Sequence, residues 1–180
     1  MSSTAKPTPH NVAQAAAVLQ RGGLELLRQL VGPWVFVGQI PNEEGEADWS
    51  FRTLSARSVK FTANNEDRVL HDHDRMLGAT KARQGAFMNT LLIGRASTND
   101  LYVPHSSVSK LHARVRVVSD DELWLSDAGS SNGTEYGGEA LAGSVERRLI
   151  HGALARFGVI ELQTLETKRL VPLLEQLALP

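Results

Sequence analysis

Leu91-Leu92-Ile93-Gly94-Arg95, Val108-Ser109-Lys110-Leu111-His112-Ala113 and Asp127-Ala128-Gly129-Ser130-Ser131-Asn132-Gly133-Thr134 are three polar motifs within one stretch of 44 residues, Leu91–Thr134. Each stands at the end of an apolar run that reads as a short strand. Together they offer a guanidinium, hydroxyls, an amine and an amide, and Asp127 is the only carboxylate among them. Donors and neutral groups gathered this way suit an anion.

Around this stretch the sequence reads as β-structure. Strand-like runs at 90–93, 101–103, 113–118, 122–126 and 155–165 are separated by turn signals such as Thr98-Asn99-Asp100, Ser119-Asp120-Asp121 and Gly137-Gly138. Short strands at close spacing predict an all-β sandwich or barrel. Arg114 and Arg116 alternate with Val115 and Val117, the pattern of a strand with one wet face.

Upstream, Asn11 is a fitting N-cap for a helix whose apolar stripe runs through Val12, Ala15, Ala16 and Leu19 and continues through Leu24, Leu27, Leu30 and Val31. Gly22-Gly23 predicts a kink or two short helices, and Gly32-Pro33 ends the pattern. The stripe suits either docking to a partner or packing on its own domain; the second is the commoner use of such a face. Residues 34–40 and 49–54 read as strands, Val59, Phe61, Val69 and Leu70 mark further short ones, and Asn64-Asn65-Glu66-Asp67 reads as a turn. Leu170 to Leu177 reads as a short amphipathic helix with Pro172 in its first turn.

Composition narrows the function classes. The chain has 180 residues, with 19 basic and 20 acidic side chains giving a formal charge of -1, so bulk charge makes no case for nucleic acid. Cysteine is absent, which removes disulfides, thiolate metal sites and a thiol nucleophile. Residues 1–10 have no apolar core of a signal peptide and no run is long enough to span a membrane; the expectation is a cytoplasmic protein without membrane attachment. His71-Asp72-His73-Asp74 could face a metal, but nothing beside it completes a ligand set. The expectation is no metal and no cofactor.

Gly94-Arg95, Ser109-x-x-His112 and Asn132-Gly133, in this order and spacing, resemble the signature of the forkhead-associated (FHA) domain, in a chain of bacterial type. Asn99-Asp100, Val108, Ala113, Asp127-x-Gly129-Ser130 and Thr134 agree with it, and the likeness covers residues 87–165. It implies an FHA/SMAD-like antiparallel β-sandwich of about eleven strands that binds phosphothreonine peptides through loops at one end. It further implies a phosphate pocket of Arg95, Ser109 and Lys110, with Ser131 and Asn132 on the peptide and His112 holding the loops in shape. Ser109 is expected to give phosphate both its hydroxyl and its backbone N–H. Gly94 is expected to ease a turn, and Gly133 to occupy a turn with φ > 0.

The sequence departs from the family's pattern in two places. Lys110 stands where arginine is also frequent, which keeps the charge and loses the rigid fork. Leu149-Ile150-His151-Gly152-Ala153 lacks the usual acidic residues, although Arg156-Phe157-Gly158 returns to the pattern.

The division that follows is a disordered stretch at 1–10, a helical extension at 11–33, and a strand-containing segment at 34–86 that carries no assignable motif and is a candidate for the first strand of the sandwich. An FHA domain at 87–165 and a helix at 166–180 complete it. The expected function is a phosphothreonine-peptide-binding module downstream of a Ser/Thr kinase; the alternative is a phospho-independent scaffold of the same fold. A catalytic reading of Ser109, His112 and Asp127 is rejected, because three-residue spacing on an extended segment does not aim serine and histidine at one proton, and no Gly-x-Ser-x-Gly elbow is present.

Overall fold

A computed structural model describes residues 10–41, 57–80, 89–143 and 145–178. The expected strand at 49–54 and the N-terminal stretch save His10 lie outside them.

Helix α1 spans Val12–Val31, and the Asn11 side chain caps it by accepting the Gln14 N–H at 2.9 Å. Gly23, at φ 66 and ψ -170, breaks the helical path, a conformation open to glycine alone. Gly32 at φ 81 ends the helix, its N–H returning to the Arg28 carbonyl at 2.8 Å.

Thirteen strands follow among the described residues: β1 (Trp34–Gly38), β2 (Ser58–Ala63), β3 (Glu66–His71), β4 (Arg75–Gly78), β5 (Thr90–Gly94), β6 (Leu101–Tyr102), β7 (Ala113–Ser119), β8 (Glu122–Asp127), β9 (Thr134–Tyr136), β10 (Glu139–Ala140), β11 (Glu146–Arg148), β12 (Leu154–Phe157) and β13 (Ile160–Glu166). Helix α2 closes the chain at Thr167–Ala178. It starts three residues earlier than its apolar pattern suggested, so Pro172 falls in its second turn. The run expected as one strand at 155–165 is a hairpin, β12 and β13, turning at Gly158-Val159.

The strands form a six-stranded sheet ordered β10-β9-β12-β13-β1-β4, a five-stranded sheet ordered β11-β8-β7-β5-β6, and a separate β2-β3 hairpin. Pairing is antiparallel except between β5 and β6, which run parallel. This departs from the wholly antiparallel expectation. The β2-β3 turn places Asn64 and Asn65 at φ 54 and 61, the left-handed pair that a tight hairpin requires.

Two clusters of buried side chains hold these elements together. The first draws on both larger sheets, with Phe36, Ile93, Val115, Leu125, Phe157 and Leu162 among its members. The second joins α1 and α2 to the opposite face of β1 and β13 and to the hairpin, through Leu27, Val35, Val37, Leu70, Leu165 and Leu174. Side-chain alternation along β1 explains the split: Trp34 and Phe36 enter one cluster, Val35 and Val37 the other. The stripe of α1 is therefore spent on its own fold.

Candidate functional site

The three motifs follow the end of β5, precede β7, and link β8 to β9. Strand pairing of β5 with β7 and β7 with β8 brings their loops to one end.

Backbone and side-chain bonds brace the first loop on the second. The Arg95 N–H donates to the Ser109 carbonyl at 2.9 Å and the Ala96 N–H to that of Lys110 at 3.2 Å. Buried Asn99 adds its side-chain amide, which donates to the carbonyls of Ala96 at 2.9 Å and Lys110 at 2.6 Å. Gly94 serves this contact rather than a turn. A Cβ there would stand 2.4 Å from the Lys110 carbonyl oxygen and 2.8 Å from the Asn99 amide, so only glycine allows the approach.

Arg95 is exposed, and its Nε donates to the Val108 carbonyl at 3.0 Å. That bond fixes the guanidinium plane while leaving both terminal NH2 groups to a ligand. Among the described residues no carboxylate pairs with Arg95 or with exposed Lys110. Two cations without counterions beside neutral donors make an anion-attracting end of the fold.

The second and third loops are joined through Ser109, Ser107 and His112. The Ser109 hydroxyl accepts the Ser131 N–H at 3.0 Å and lies 3.5 Å from the Ser131 hydroxyl. The Ser109 N–H donates to His112 Nδ1 at 2.9 Å. It is therefore engaged, and the expectation that it faces phosphate is corrected. His112 is fully buried, and its Nε2 donates to the Gly133 carbonyl at 3.0 Å. Burial lowers its pKa against the raising effects of that carbonyl and of Asp127. A ring accepting at Nδ1 and donating at Nε2 is neutral. Neither nitrogen is directed at the Ser109 hydroxyl, so the pair has no nucleophile–base geometry.

Asp127 shapes the third loop from within. Its carboxylate accepts the N–H groups of Gly129 at 2.7 Å and Ser130 at 2.9 Å, and the hydroxyls of Ser130 at 2.6 Å and Thr134 at 2.7 Å. Burial raises its pKa, but these bonds outweigh burial and hold the carboxyl below its ordinary value. Gly133 has φ 77, as a left-handed turn position requires. Exposed Asn132 donates one amide hydrogen to the Ser107 carbonyl at 2.8 Å.

Ser107 and its neighbour His105 had no place in the sequence reading. They lie in the loop between β6 and the second motif, where no periodicity marks a role, and only the fold brings Ser107 against Asn132. The His71–Asp74 run lies elsewhere, at the β3-β4 turn. There the His71 and His73 rings stand 5.2 Å apart, and the Asp74 carboxylate accepts the His71 N–H at 2.9 Å. Among the described residues no group of three His, Cys, Asp or Glu side chains is arranged to hold a metal ion, and no helix is long and apolar enough to cross a membrane.

Comparison with known proteins bears on this geometry. A family model of the FHA domain matches residues 91–158. No curated protein sequence matches the chain. Similar solved structures include the FHA domain of the CT664 protein from Chlamydia trachomatis, 17% identical, covering 61% of this chain and 94% of that one with a TM-score of 0.40. The N-terminal FHA domain of S. cerevisiae Rad53p, solved in complex with a phosphothreonine peptide, is 17% identical, covering 66% and 98% with a TM-score of 0.42. The FHA domain of an Arabidopsis thaliana hypothetical protein is 18% identical, covering 74% and 86% with a TM-score of 0.42. The family match spans all three motifs from Leu91 through Asn132-Gly133, and the chain contains an FHA domain.

Proposed function

We propose that the three braced loops bind a phosphothreonine-containing peptide or protein. The observation that carries this reading is Arg95, held at Nε by the Val108 carbonyl with its terminal NH2 groups left without a partner among the described residues. A guanidinium fixed in this way is preorganised to fork two bonds to phosphate oxygens. Lys110 and the Ser109 and Ser131 hydroxyls complete the phosphate contacts. A phosphate of about -1.5 to -2 charge is then nearly neutralised by two cations. Asn132 keeps an acceptor and a second amide hydrogen for the peptide backbone, while Gly94, His112 and Gly133 hold the loops.

The same proposal makes the protein a non-catalytic binding module acting downstream of a Ser/Thr kinase in the cytoplasm. It takes the two larger sheets as the leaves of the FHA sandwich. The domain proposed at 87–165 then extends upstream to include β1 and β4, which share a sheet with β12 and β13. Helix α1, the β2-β3 hairpin and α2 form an added layer.

Fluorescence anisotropy with a phosphothreonine peptide library tests the reading. The expected outcome is micromolar binding, about -7 to -9 kcal/mol, weaker binding of phosphoserine and none of the unphosphorylated peptides. Arg95→Ala abolishes binding with the circular dichroism spectrum unchanged. Equal binding by Arg95→Ala, or indifference to phosphorylation, would replace this function with that of a phospho-independent scaffold.

A further inference from the structure

We propose that Ser107, seated against the Gly158-Val159 turn, is a positioning residue that fixes the side chain of Asn132. The inference rests on the phosphopeptide reading for its use, but its geometry stands in the free protein.

An exposed asparagine at a loop tip is free to rotate about two side-chain bonds. Here one amide hydrogen is held by the Ser107 carbonyl at 2.8 Å. That bond sets the amide plane and leaves one acceptor and one donor outward, the complement of a peptide group. Orientation before binding spares the ordering cost at the moment of binding.

Ser107 is itself fixed from two sides. Its N–H donates to His105 Nδ1 at 3.2 Å, and its hydroxyl lies 2.9 Å from the same nitrogen. From the opposite side the hydroxyl accepts the Val159 N–H at 3.2 Å. Gly158, at φ 60, packs so tightly that a Cβ would stand 2.5 Å from the Ser107 carbonyl oxygen. The Gly158 N–H also donates to the Gly133 carbonyl at 3.2 Å, the same oxygen that accepts from His112. The β12-β13 turn is thus a common reference for both the backbone beside Asn132 and the atom that holds its side chain.

The test uses the full chain with two readouts: the side-chain amide resonances of Asn132 in the peptide-free protein, assigned by Asn132→Asp, and anisotropy with the tightest phosphothreonine peptide of the library. Ser107→Ala is expected to shift the Asn132 amide pair and weaken peptide binding about three- to tenfold, the scale of one hydrogen bond. Ser107→Thr, which keeps the hydroxyl, is expected to restore affinity to within about twofold of the wild type on the same scale. Gly158→Ala is expected to move the same resonances further. If that variant does not fold, the two Ser107 variants decide alone.

Arg95→Ala is the control, losing phosphopeptide while leaving the Asn132 resonances in place. If the wild type ignores phosphorylation, the functional reading falls, and the Asn132 resonances in Ser107→Ala still decide the positioning role. Unchanged resonances in Ser107→Ala, or unchanged affinity in a wild-type chain that does bind phosphopeptide, overturn the proposal.

Discussion

His112 shows how one buried side chain can set the relation between two loops. Its Nδ1 accepts from Ser109, its Nε2 donates to Gly133, and its ring meets Phe157 edge-on at 5.8 Å between centroids. The bond accepted from Ser109 demands the neutral form, and burial outweighs the raising effect of the Gly133 carbonyl to lower the pKa below the unfolded value of 6.5. The stabilisation is therefore complete above the unfolded pKa and is lost as pH falls through the window between the unfolded and folded values. His151, lowered mainly by burial as well, adds a contribution of the same sign. Denaturant midpoints should fall between pH 7.5 and pH 5.5, and His112→Ala should narrow that fall without removing it. A fall of the same size in His112→Ala would show that the residue does not titrate with folding. Stability is the clean observable, because a bound phosphate also changes charge near pH 6. The same variant should cost about 2–4 kcal/mol, leaving the Ser109 N–H unpaired, the Gly133 carbonyl with only the Gly158 N–H, and a gap beside Phe157. At this scale the placement of the candidate site was legible in the sequence, since the pairing of β5, β7 and β8 brings Arg95, Ser109, Lys110, Ser131 and Asn132 to one end. Partnership was not legible. Which N–H His112 takes from Ser109, and why Gly94 lacks a side chain, depend on contacts between loops that no local pattern encodes.

Among the elements, α1 carries its information at Gly23. The conformation at φ 66 and ψ -170 lies outside what a side chain tolerates, yet beyond the adjoining backbone no atom stands within 4 Å of where a Cβ would be. Gly23→Ala should therefore destabilise the protein by backbone strain alone, about 1–3 kcal/mol, read as a lower thermal midpoint. An unchanged midpoint would mean that the two helical halves realign at no cost. The kink, the Asn11 cap and the long strands β7 and β8 could be read from sequence because each has a local cause. The strands β9, β10 and β11, of two or three residues each, are too short for a period of two to register. The β12-β13 hairpin is hidden in the sequence because its turn interrupts the apolar run with a single glycine.

For the molecule as a whole, the consequence lies in β1 and β13, which supply side chains to both buried clusters. The helical layer covers the face of Val35, Val37 and Leu165 that the two-sheet core does not use. It is tied down by polar bonds as well: the Thr167 hydroxyl donates to the Gly32 carbonyl at 2.7 Å, and the Asn64 amide to that of His151 at 3.1 Å. Strands shared in this way couple the layer to the sheets that carry the three loops proposed to bind phosphopeptide. Leu27 and Leu174, both fully buried in the layer, report on that coupling. Either one changed to alanine should cost about 2–5 kcal/mol. In both variants the loss of phosphopeptide binding on heating should track the loss of secondary structure in a single transition. A chain beginning at Pro33 should go further, exposing Val35 and Val37 and binding a hydrophobic dye at temperatures where the full chain does not. If that truncated chain kept the thermal midpoint of the full chain and bound no dye, α1 would be an appendage. If Leu174→Ala melted in two steps, with the binding loops intact in the second, the two clusters would be independent units despite the strands they share.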